Sequence, residues 1–323
     1  MPGIYESDDP GMPRKIIYLI NPISGTGGKS SLEELIIRKT TAQKIDFSIL
    51  PTDAEGRYDF LIPILFKEQV TDIVICGGDG TVNAVAAALK GMPVRIGIIP
   101  MGSGNGLAFA AKIPKDPSKA LDIIFAGKAS LIDGFTINEQ FSCMLSGIGF
   151  DAKVAHEFAR QKKRGLQTYI RVSLAHFLTS RPYSFRIRLP HHPTDPLKGE
   201  GGEERSFPVK AFFINVANGD QFGNHVTIAP KALLQDGLLD IVIVKSALKL
   251  PMVFAVIRQI LGGKVLPGKP RDAGKKNILY FQTQELTIEN PEEAPLHIDG
   301  DPKATAKEFR IKIAPAILNL IQP

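Results

Sequence analysis

Two glycine-rich stretches, each following a short apolar run, decide how this chain folds. The first reads GGDGTVN over residues 77–83 and follows IVIC at residues 73–76. The second reads PMGSGN over residues 100–105 and follows IGII at residues 96–99. An apolar run that ends at glycines is typical of a buried strand that opens onto a tight turn. Because glycines permit positive φ angles and let phosphate groups approach backbone N–H groups, both stretches predict phosphate-binding loops.

The first stretch carries an acidic residue, Asp79, at its centre. A carboxylate repels phosphate unless it holds a metal ion or takes up a proton. A loop that combines glycines with an acid therefore predicts a nucleotide site that performs chemistry as well as binding.

The segments around these loops alternate between short strands and helices. This alternation predicts a doubly wound, mostly parallel sheet covered by helices. Ligands of such sheets lie beyond the carboxyl ends of the strands, which is where both loops fall. The predicted strands cover 15–20, 47–50, 73–76 and 94–99, and the predicted helices cover 31–39, 58–68, 82–89 and a segment from residue 107.

After Asp133 the pattern changes to successive strands. We therefore predict an α/β fold with a nucleotide-binding domain at 1–133 and a β-rich domain at 134–307. The tail at 308–323 returns to apolar periodicity, and we expect it to pack back onto the first domain. The predicted strands of the second domain lie within 134–150, 183–190, 208–217, 238–244 and 277–288, with a helical insertion near 151–180 and a surface loop at 191–204.

The composition is that of an ordinary folded protein, since 44% of the 323 residues are hydrophobic and 22% are charged. No apolar run reaches the roughly 18 residues that span a bilayer, because lysine, proline and arginine interrupt the longest run, 248–261. The polar segment 1–13 lacks a secretory signal, and Cys76 and Cys143 lie in apolar surroundings. We expect a cytoplasmic protein with two core thiols.

The net charge of +6 is unevenly placed, with a basic cluster at Arg160, Lys162, Lys163 and Arg164. Such a cluster forms either a solvated helix face or a contact for nucleotide phosphates or anionic lipid headgroups, and both interpretations stay open. No nucleic-acid-binding motif or pattern of stacking aromatics accompanies the charge. Nucleic acid is therefore not an expected partner.

The segment NPISGTGGKS at 21–30 follows the first predicted strand and invites comparison with the Walker A motif. The comparison fails, because Ile23 occupies the position where that motif needs its first glycine. A looser phosphate cradle and an ordinary strand-to-helix turn remain equal alternatives for this segment.

Taken together, NPISG, GGDGTVN and PMGSGNGLA resemble the diacylglycerol kinase catalytic-domain family of lipid kinases. The later segments GFD at 149–151, DGLLD at 236–240 and HIDGD at 297–301 resemble further blocks of that family in the same order. The resemblance extends from about Lys15 to Asp301. NAD kinase also has a GGDGT loop, but the second loop resembles the lipid kinases. A nucleotide-binding domain without catalytic activity is the alternative from another functional class.

The resemblance implies an ATP site and a magnesium site. For magnesium it implies the carboxylate of Asp236 and the carbonyl oxygens of Leu233 and Leu238, a set of oxygen ligands that suits this ion. Asp236-Gly237 is also compatible with a type I′ turn, and the two interpretations are not exclusive. For ATP it implies a pocket formed by Asn21, Thr52, Gly77, Gly78, Asp79, Gly80, Thr81, Asn83, Gly102, Ser103 and Gly104.

The resemblance implies two candidates for the catalytic base, Asp301 and Asp79. The family usually has glutamate at the position of Asp301, so the aspartate reaches one methylene less far. Ala84 also stands where many relatives carry glutamate, which implies altered nucleotide or metal contacts. We expect His297 to pack beside the Asp299–Asp301 turn; a role in positioning that turn is the alternative.

The activity implied by the resemblance is transfer of the ATP γ-phosphoryl group to a lipid hydroxyl, with diacylglycerol as the preferred acceptor. Sphingosine, ceramide and phosphatidylglycerol are alternative acceptors. Because the substrate lies in a membrane, we expect the protein to associate peripherally with the bilayer surface. Members of the family are often dimers, so a homodimer is compatible with the resemblance.

Overall fold

The computed structural model describes residues 13–20, 29–161, 168, 171–173, 175–176, 180–190, 205–223, 226–245 and 278–323. These residues form two compact units. The first contains the described residues up to Ile132 together with Ala316–Pro323, and the second contains those from Asp133 to Pro315. The division thus falls at 132/133, and again at 315/316 within the C-terminal tail.

The first unit is built on a parallel sheet in the order β2-β1-β3-β4. This order is that of a doubly wound sheet, with the topological switch between β1 and β3. Its elements are β1 (Lys15–Ile20), α1 (Lys29–Ala42), β2 (Asp46–Pro51), α2 (Leu61–Lys67), β3 (Asp72–Gly77), α3 (Asp79–Leu89), β4 (Arg95–Pro100), α4 (Gly106–Ala110) and α5 (Pro117–Ala126).

Burial explains why these segments form strands. Every residue of β3 is buried, and the four central residues of β1 are buried. Strands covered on both faces are rich in β-branched residues without polar alternation, which is the pattern that the sequence shows. The parallel registers of β1 and β4 with β3, such as Ile17 opposite Ile73, align the carboxyl ends of the three strands at one edge of the sheet.

The second unit contains α6 and most of the remaining strands. Its elements, with the two strands that cross the unit boundaries, are β5 (Ala129–Ile137), β6 (Gln140–Ser142), β7 (Leu145–Gly149), α6 (Phe150–Ala159), β8 (Tyr183–Leu189), β9 (Arg205–Ala211), β10 (Phe213–Ala217), β11 (Gln221–Gly223), β12 (Val226–Thr227), β13 (Leu239–Val244), β14 (Ile278–Thr283), β15 (Glu285–Glu289), β16 (Leu296–Ile298), β17 (Asp301–Lys303) and β18 (Glu308–Ile321).

Two antiparallel sheets of this unit pack around a common core. One has the order β14-β13-β10-β7-β16-β17, and the other includes β18-β15-β8-β9. The core combines side chains of both sheets, among them Ile214 and Ile241 from the first and Ile187 and Phe309 from the second. The predicted fold class is therefore confirmed: a parallel α/β sheet followed by a β-rich region.

The tail forms the single strand β18, which takes part in each unit with a different half. Glu308–Lys312 pairs antiparallel with β15, whereas Asn319 and Leu320 pair parallel with β4. Between these halves Ala316 has a left-handed φ of 51°. Of the tail, only Ala316–Pro323 belongs to the first unit.

Three predicted features lie wholly or partly outside the described residues: the loop at 191–204, the apolar run at 248–261 and much of the insertion near 151–180. Within that insertion the structure describes the helix α6, which begins at Phe150 and ends at Ala159, and further helical residues at 168, 171–173 and 175–176. Among the helices that the structure describes, none has both the length and the apolar character that crossing a membrane requires.

Candidate active site

The two glycine-rich loops lie side by side at the carboxyl edge of the first unit's sheet. Gly77, at the end of β3, is in register with Pro100, at the end of β4. The backbone N–H of Met101 donates a hydrogen bond of 2.9 Å to the carbonyl oxygen of Gly77, which extends the pairing into the loops. The predicted position of the loops at the strand ends is thus where the structure has them.

The glycines are required by a close approach of the two loops. A Cβ atom added to Gly78 would lie 3.1 Å from the Cα atom of Gly102, and one added to Gly102 would lie 2.6 Å from the Cα atom of Gly78. A Cβ atom on Gly104 would lie 2.6 Å from Oδ2 of Asp79. Side chains at these positions would therefore push the loops apart.

Positive φ angles, by contrast, are not the reason for these glycines. None of the described glycines in either loop has one, and Gly78 is extended with φ −99° and ψ −177°. The left-handed residue is Asn105, with φ 57° and ψ 43°. Asparagine tolerates this region because its short polar side chain bonds locally. Sequence reasoning misassigned the left-handed turn and left Asn105 out of the predicted site.

Asn105 closes the second loop on itself. Its side-chain Oδ1 accepts a hydrogen bond of 2.8 Å from the N–H of Gly102, and its Nδ2 donates one of 2.8 Å to the carbonyl oxygen of Gly102. The residue is 3% exposed. A buried side chain that bonds both the N–H and the carbonyl oxygen of one residue holds that loop in a single conformation.

Asp79 joins the two loops. Its Oδ2 accepts a hydrogen bond of 2.7 Å from the N–H of Asn105, and its Oδ1 accepts one of 2.7 Å from the N–H of Gly106. These N–H groups belong to the start of α4, where the backbone lacks intrahelical acceptors. The expectation that Asp79 needs a metal ion or a proton beside phosphate was incomplete, because two backbone N–H dipoles also stabilise its charge.

The remaining residues of the predicted ATP pocket fall into three places. Thr52 directly follows β2, and its N–H donates a hydrogen bond of 3.1 Å to the carbonyl oxygen of Ile20 at the end of β1. Burial raises the pKa of Tyr58, while its hydrogen bond with the Thr52 side chain acts in the opposite direction. Asn21 lies outside the described residues. The others lie in the first turns of α3 or in the second loop: Gly80, Thr81, Asn83 and Ser103.

Helix α3 begins three residues earlier than predicted. Asp79, Gly80 and Thr81 form its first turn, and Gly78 is its N-cap. The first N–H groups of a helix have no partner within it and carry the positive end of its dipole. This edge of the sheet thus combines backbone donors with closely packed loops, which is an arrangement suited to phosphate groups.

Asp301 lies in the second unit at a tight hairpin. It is the exposed first residue of β17 and is in register with Ile298 at the end of β16. The two residues between them, Asp299 and Gly300, both have positive φ angles, 48° and 85°. Two left-handed central residues define a type I′ turn, so this turn presents Asp301 at its exit.

The sequence left a type I′ turn open as one interpretation of Asp236-Gly237. There Gly237 has a φ of 70°, but Asp236 is not among the residues with positive φ. Asp236-Gly237 is therefore not a type I′ turn. Both segments contain Asp-Gly, but only at Asp299-Gly300 do two paired strands flank the dipeptide directly.

Asp299 anchors the turn to the segment before β7. Its carboxylate accepts hydrogen bonds from the Ser142 hydroxyl at 2.7 Å and from the N–H groups of Leu145 at 2.9 Å and Cys143 at 3.1 Å. Asp299 is 3% exposed. Sequence reasoning did not assign this role, although the acid at the centre of HIDGD was a signal for it.

His297 does more than pack beside the turn. The N–H of Gly300 donates a hydrogen bond of 3.3 Å to Nδ1 of His297, and Nε2 of His297 lies 3.3 Å from Oδ2 of Asp151. The expectation that His297 is only a packing residue was therefore wrong. A histidine on the adjacent strand supplies the acceptor that the turn's N–H needs.

The predicted magnesium ligands lie in the segment before β13, near other carboxylates. Oδ2 of Asp133 accepts a hydrogen bond of 2.7 Å from the N–H of Gly237, and Oδ1 of Asp236 accepts one of 3.1 Å from the N–H of Leu238. Burial, and then the negative charge of Asp133, raise the pKa of Asp236. Burial raises the pKa of Asp240 to about 6, and the charge of Asp236 adds to this effect.

Burial is the larger cause of both shifts, and repulsion between the carboxylates adds to it. A bound cation would relieve that repulsion, so the negative charge at this segment fits a cation. Within the described part of the chain, no group of three or more His, Cys, Asp or Glu side chains is arranged to hold a metal ion. The predicted set differs from such a group, because it combines one carboxylate, Asp236, with the carbonyl oxygens of Leu233 and Leu238. Leu233 is 62% exposed. Magnesium binding at this segment stays a prediction.

Only one member of the basic cluster at 160–164 that we singled out is described. Arg160 follows α6 and forms an ion pair of 3.1 Å with Glu157 on the last turn of that helix. Lys162, Lys163 and Arg164 lie outside the described residues. Both interpretations of the basic cluster stay open.

Two family models match consecutive parts of the chain. The diacylglycerol kinase catalytic domain matches residues 15–137, and the YegS C-terminal NAD kinase beta sandwich-like domain matches residues 145–322. The first match contains both glycine-rich loops, and the second contains the turn with Asp301.

Relatives similar over most of their length carry the name of lipid kinases. The chain is 30% identical over 265 residues to a probable lipid kinase YegS of Escherichia coli, covering 80% of each chain. It is 27% identical over 301 residues to a probable lipid kinase YegS-like protein of Serratia proteamaculans, covering 91% of this chain and 90% of the relative. A crystal structure of a putative diacylglycerol kinase from Bacillus anthracis has the same fold, with a TM-score of 0.74 at 22% identity over 96% of this chain and 97% of that one.

Proposed function

Since the chain belongs to the diacylglycerol kinase-like family of lipid kinases, with both of that family's domains, we propose that it transfers the γ-phosphoryl group of ATP to the hydroxyl of diacylglycerol. The observation that carries the proposal is the junction of the two glycine-rich loops through Asp79. That junction places backbone N–H groups of two neighbouring strand ends at one edge of the sheet.

Phosphoryl transfer asks little covalent chemistry of a protein. It needs the reacting oxygens held in line, the charge of the phosphates neutralised and an acceptor for one proton. In the first unit, the start of α3 and the loop around Gly102 and Ser103 supply the contacts to the phosphates of ATP. Thr52, which directly follows β2, belongs to this pocket, and Asn21 is a further predicted member of it.

The catalytic base is assigned to Asp301 and the positioning of the loops to Asp79. A base needs a carboxylate that can reach the hydroxyl it deprotonates. Asp301 is exposed at the exit of a rigid turn, whereas both oxygens of Asp79 accept backbone N–H groups. Asp301 therefore takes the proton of the lipid hydroxyl, while Asp79 keeps the two loops together.

Magnesium would be held in the second unit by the carboxylate of Asp236 with the carbonyl oxygens of Leu233 and Leu238. The divalent ions that accompany ATP supply charge neutralisation for the phosphate oxygens during transfer. The charge of Asp133, which acts on Asp236, contributes negative charge that favours such an ion.

The substrate requires the protein to work at a membrane surface. The chain carries a net charge of +6, which favours contact with anionic headgroups. We expect peripheral, salt-sensitive binding at the cytoplasmic face, and flotation with vesicles that contain anionic lipid measures it. Absence of binding at low salt would contradict this part of the proposal.

A radiolabelled-ATP assay over a panel of acceptors in mixed micelles tests the activity. The panel contains diacylglycerol, phosphatidylglycerol, sphingosine and ceramide, with NAD as a soluble acceptor and Asp301→Asn protein as the control. The expected result is labelled phosphatidic acid from diacylglycerol, at a higher rate than any other product. If another lipid is labelled at a higher rate than diacylglycerol, that lipid is the substrate and the assignment of diacylglycerol is wrong. If NAD is labelled at the highest rate, the proposed lipid kinase activity is wrong. Binding of ATP without turnover on any acceptor would identify a nucleotide-binding protein without this activity.

A further inference from the structure

A buried histidine–carboxylate pair lies directly behind the turn that presents Asp301. His297, on β16, is fully buried, and its Nε2 lies 3.3 Å from Oδ2 of Asp151. Asp151 belongs to the first turn of α6, and its Oδ1 accepts a hydrogen bond of 2.8 Å from the N–H of Ala152. The pair therefore connects a helix to the strand that leads into the turn.

The hydrogen bonds determine where the imidazole carries its proton. The N–H of Gly300 can only donate, so Nδ1 of His297 must be the unprotonated acceptor of that bond. The single proton of a neutral imidazole then lies on Nε2 and is donated to Asp151. His297 thus contributes one acceptor to the turn and one donor to the helix.

The neighbouring strand leaves space for this pair. Gly147 on β7 is in register with His297. A Cβ atom on Gly147 would lie 2.5 Å from Nε2 of His297 and would overlap the carboxylate of Asp151. Glycine at this position is therefore a condition for the contact between His297 and Asp151.

Both central residues of the turn are held from outside it. Asp299 is bound through its carboxylate to the segment that begins at Ser142, and its N–H donates a hydrogen bond of 2.9 Å to the carbonyl oxygen of Leu145. Gly300 is bound through its N–H to His297. A two-residue turn with both members anchored has one conformation, and the next residue is Asp301.

We propose that His297 is a positioning residue of the phosphotransfer reaction: oriented by Asp151, it fixes the Asp299-Gly300 turn and thereby the carboxylate of Asp301. This inference rests on the proposed function, in which Asp301 accepts the proton. The competing interpretation is that the pair only stabilises the fold. The two differ in their consequences, since loss of the Gly300 bond alone should lower kcat without a matching loss of stability.

Two conservative substitutions each remove one of the two hydrogen bonds of His297 and keep the other. In His297→Asn the side-chain oxygen takes the place of Nδ1, so the bond from Gly300 is kept and the bond to Asp151 is lost. In His297→Gln the amide nitrogen takes the place of Nε2, so the bond to Asp151 is kept and the acceptor for Gly300 is lost. His156→Gln is the matched control, because Nε2 of His156 bonds to the carbonyl oxygen of Leu296 at 2.9 Å without reaching the turn.

The readouts are kcat, the KM for ATP and the thermal unfolding midpoint, measured for the full chain with the lipid that the wild type phosphorylates best. We expect His297→Gln to lower kcat by about tenfold or more and His297→Asn by about threefold or less, with the KM for ATP changed by less than about twofold. His156→Gln should keep the wild-type kcat. A His297→Gln protein with wild-type kcat would overturn the inference.

The outcome is distinguishable from failure of the proposed function. If the wild type phosphorylates no lipid, the proposed function fails. If the wild type phosphorylates a lipid, Asp301→Asn loses this activity and His297→Gln keeps it in full, then only the inference about His297 fails. If the His297 variants do not fold, a measurement on the wild-type protein still tests the inference. Nitrogen-15 NMR of the histidine side chains, with His297 assigned by its contacts to Gly300, should show the proton on Nε2. A proton on Nδ1 would overturn the inference.

Discussion

The backbones of Gly78 and Gly102 approach so closely that a Cβ atom on Gly102 would lie 2.6 Å from the Cα atom of Gly78. Folded proteins essentially never contain a Cβ atom at such a distance from another backbone atom. A side chain at either position therefore forces two neighbouring loops apart. Asp79 lies next to Gly78 and accepts a hydrogen bond from the second loop. Moving the loops apart would therefore also weaken the hydrogen bonds of Asp79 that hold the predicted ATP pocket together.

Gly102→Ala should weaken both ATP binding and the fold. Overpacking costs about 1–3 kcal/mol, and the displaced loops would raise the KM for ATP by about tenfold. Gly56→Ala is the control, since Gly56 also resists substitution through its φ of 72°, but its Cβ atom would lie 3.8 Å from the nearest atom, on Ala84. An unchanged KM for ATP in Gly102→Ala would show that the close approach has no role in nucleotide binding.

Asp79→Asn should lower stability and activity together. An asparagine keeps one oxygen acceptor, so either the N–H of Asn105 or the N–H of Gly106 loses its partner. An unsatisfied donor of this kind lowers the free energy of unfolding by about 1–3 kcal/mol. Urea unfolding and the KM for ATP measure the two effects.

The control for Asp79→Asn is Asp122→Asn. Asp122 is exposed, and within the described part of the chain it forms an ion pair with Lys39, which is not a member of the predicted ATP pocket. This control should change the free energy of unfolding by no more than about 0.5 kcal/mol. If Asp79→Asn lost turnover while its stability and KM for ATP stayed at wild-type values, Asp79 would be a catalytic group instead of a loop connection.

Local patterns sufficed for the fold and for the location of the loops. The strand at Lys15–Ile20 was predicted with its observed bounds, and the run before Gly77 was recognised, because β-branched runs ending at glycines are signals within a few residues. The side-chain contacts of the site are different in kind. Asp79 and Asn105 are 26 residues apart in the chain, and nothing in the local pattern of either residue specifies the other.

The same distinction holds in the second unit. The Asp299-Gly300 turn is a local feature, and its Asp-Gly dipeptide is a recognised signal for a type I′ turn. A turn at Asp299–Asp301 was expected from the sequence, but its type was not assigned. The carboxylate of Asp299, however, binds residues more than 150 positions earlier in the chain. Those contacts depend on the pairing of β7 with β16, which a single sequence does not reveal.

Magnesium should stabilise the protein in the absence of ATP, through Asp236. A ligand that binds only the folded state raises the unfolding midpoint, by about 2–4 °C for each kcal/mol of stabilisation in a protein of this size class. The shift should be lost in Asp236→Asn and kept in Asp220→Asn, whose carboxylate accepts from the Gln221 side chain instead. Differential scanning fluorimetry with and without millimolar magnesium measures it. An equal shift in both variants would place the ion elsewhere.

Asp301→Asn should lower turnover by about 10²–10⁴-fold and leave the fold intact. A general base contributes about 10²–10⁴-fold to the rate, and Asp301 is exposed at the start of β17, so its substitution should change the free energy of unfolding by no more than about 0.5 kcal/mol. Asp301→Glu is the matched variant, since it restores the carboxylate with one more methylene. Turnover within about tenfold of the wild type is expected for it. Should Asp301→Asn keep the wild-type kcat with the best lipid acceptor, the proton must go to another group, and the assignment of Asp301 as the base is wrong.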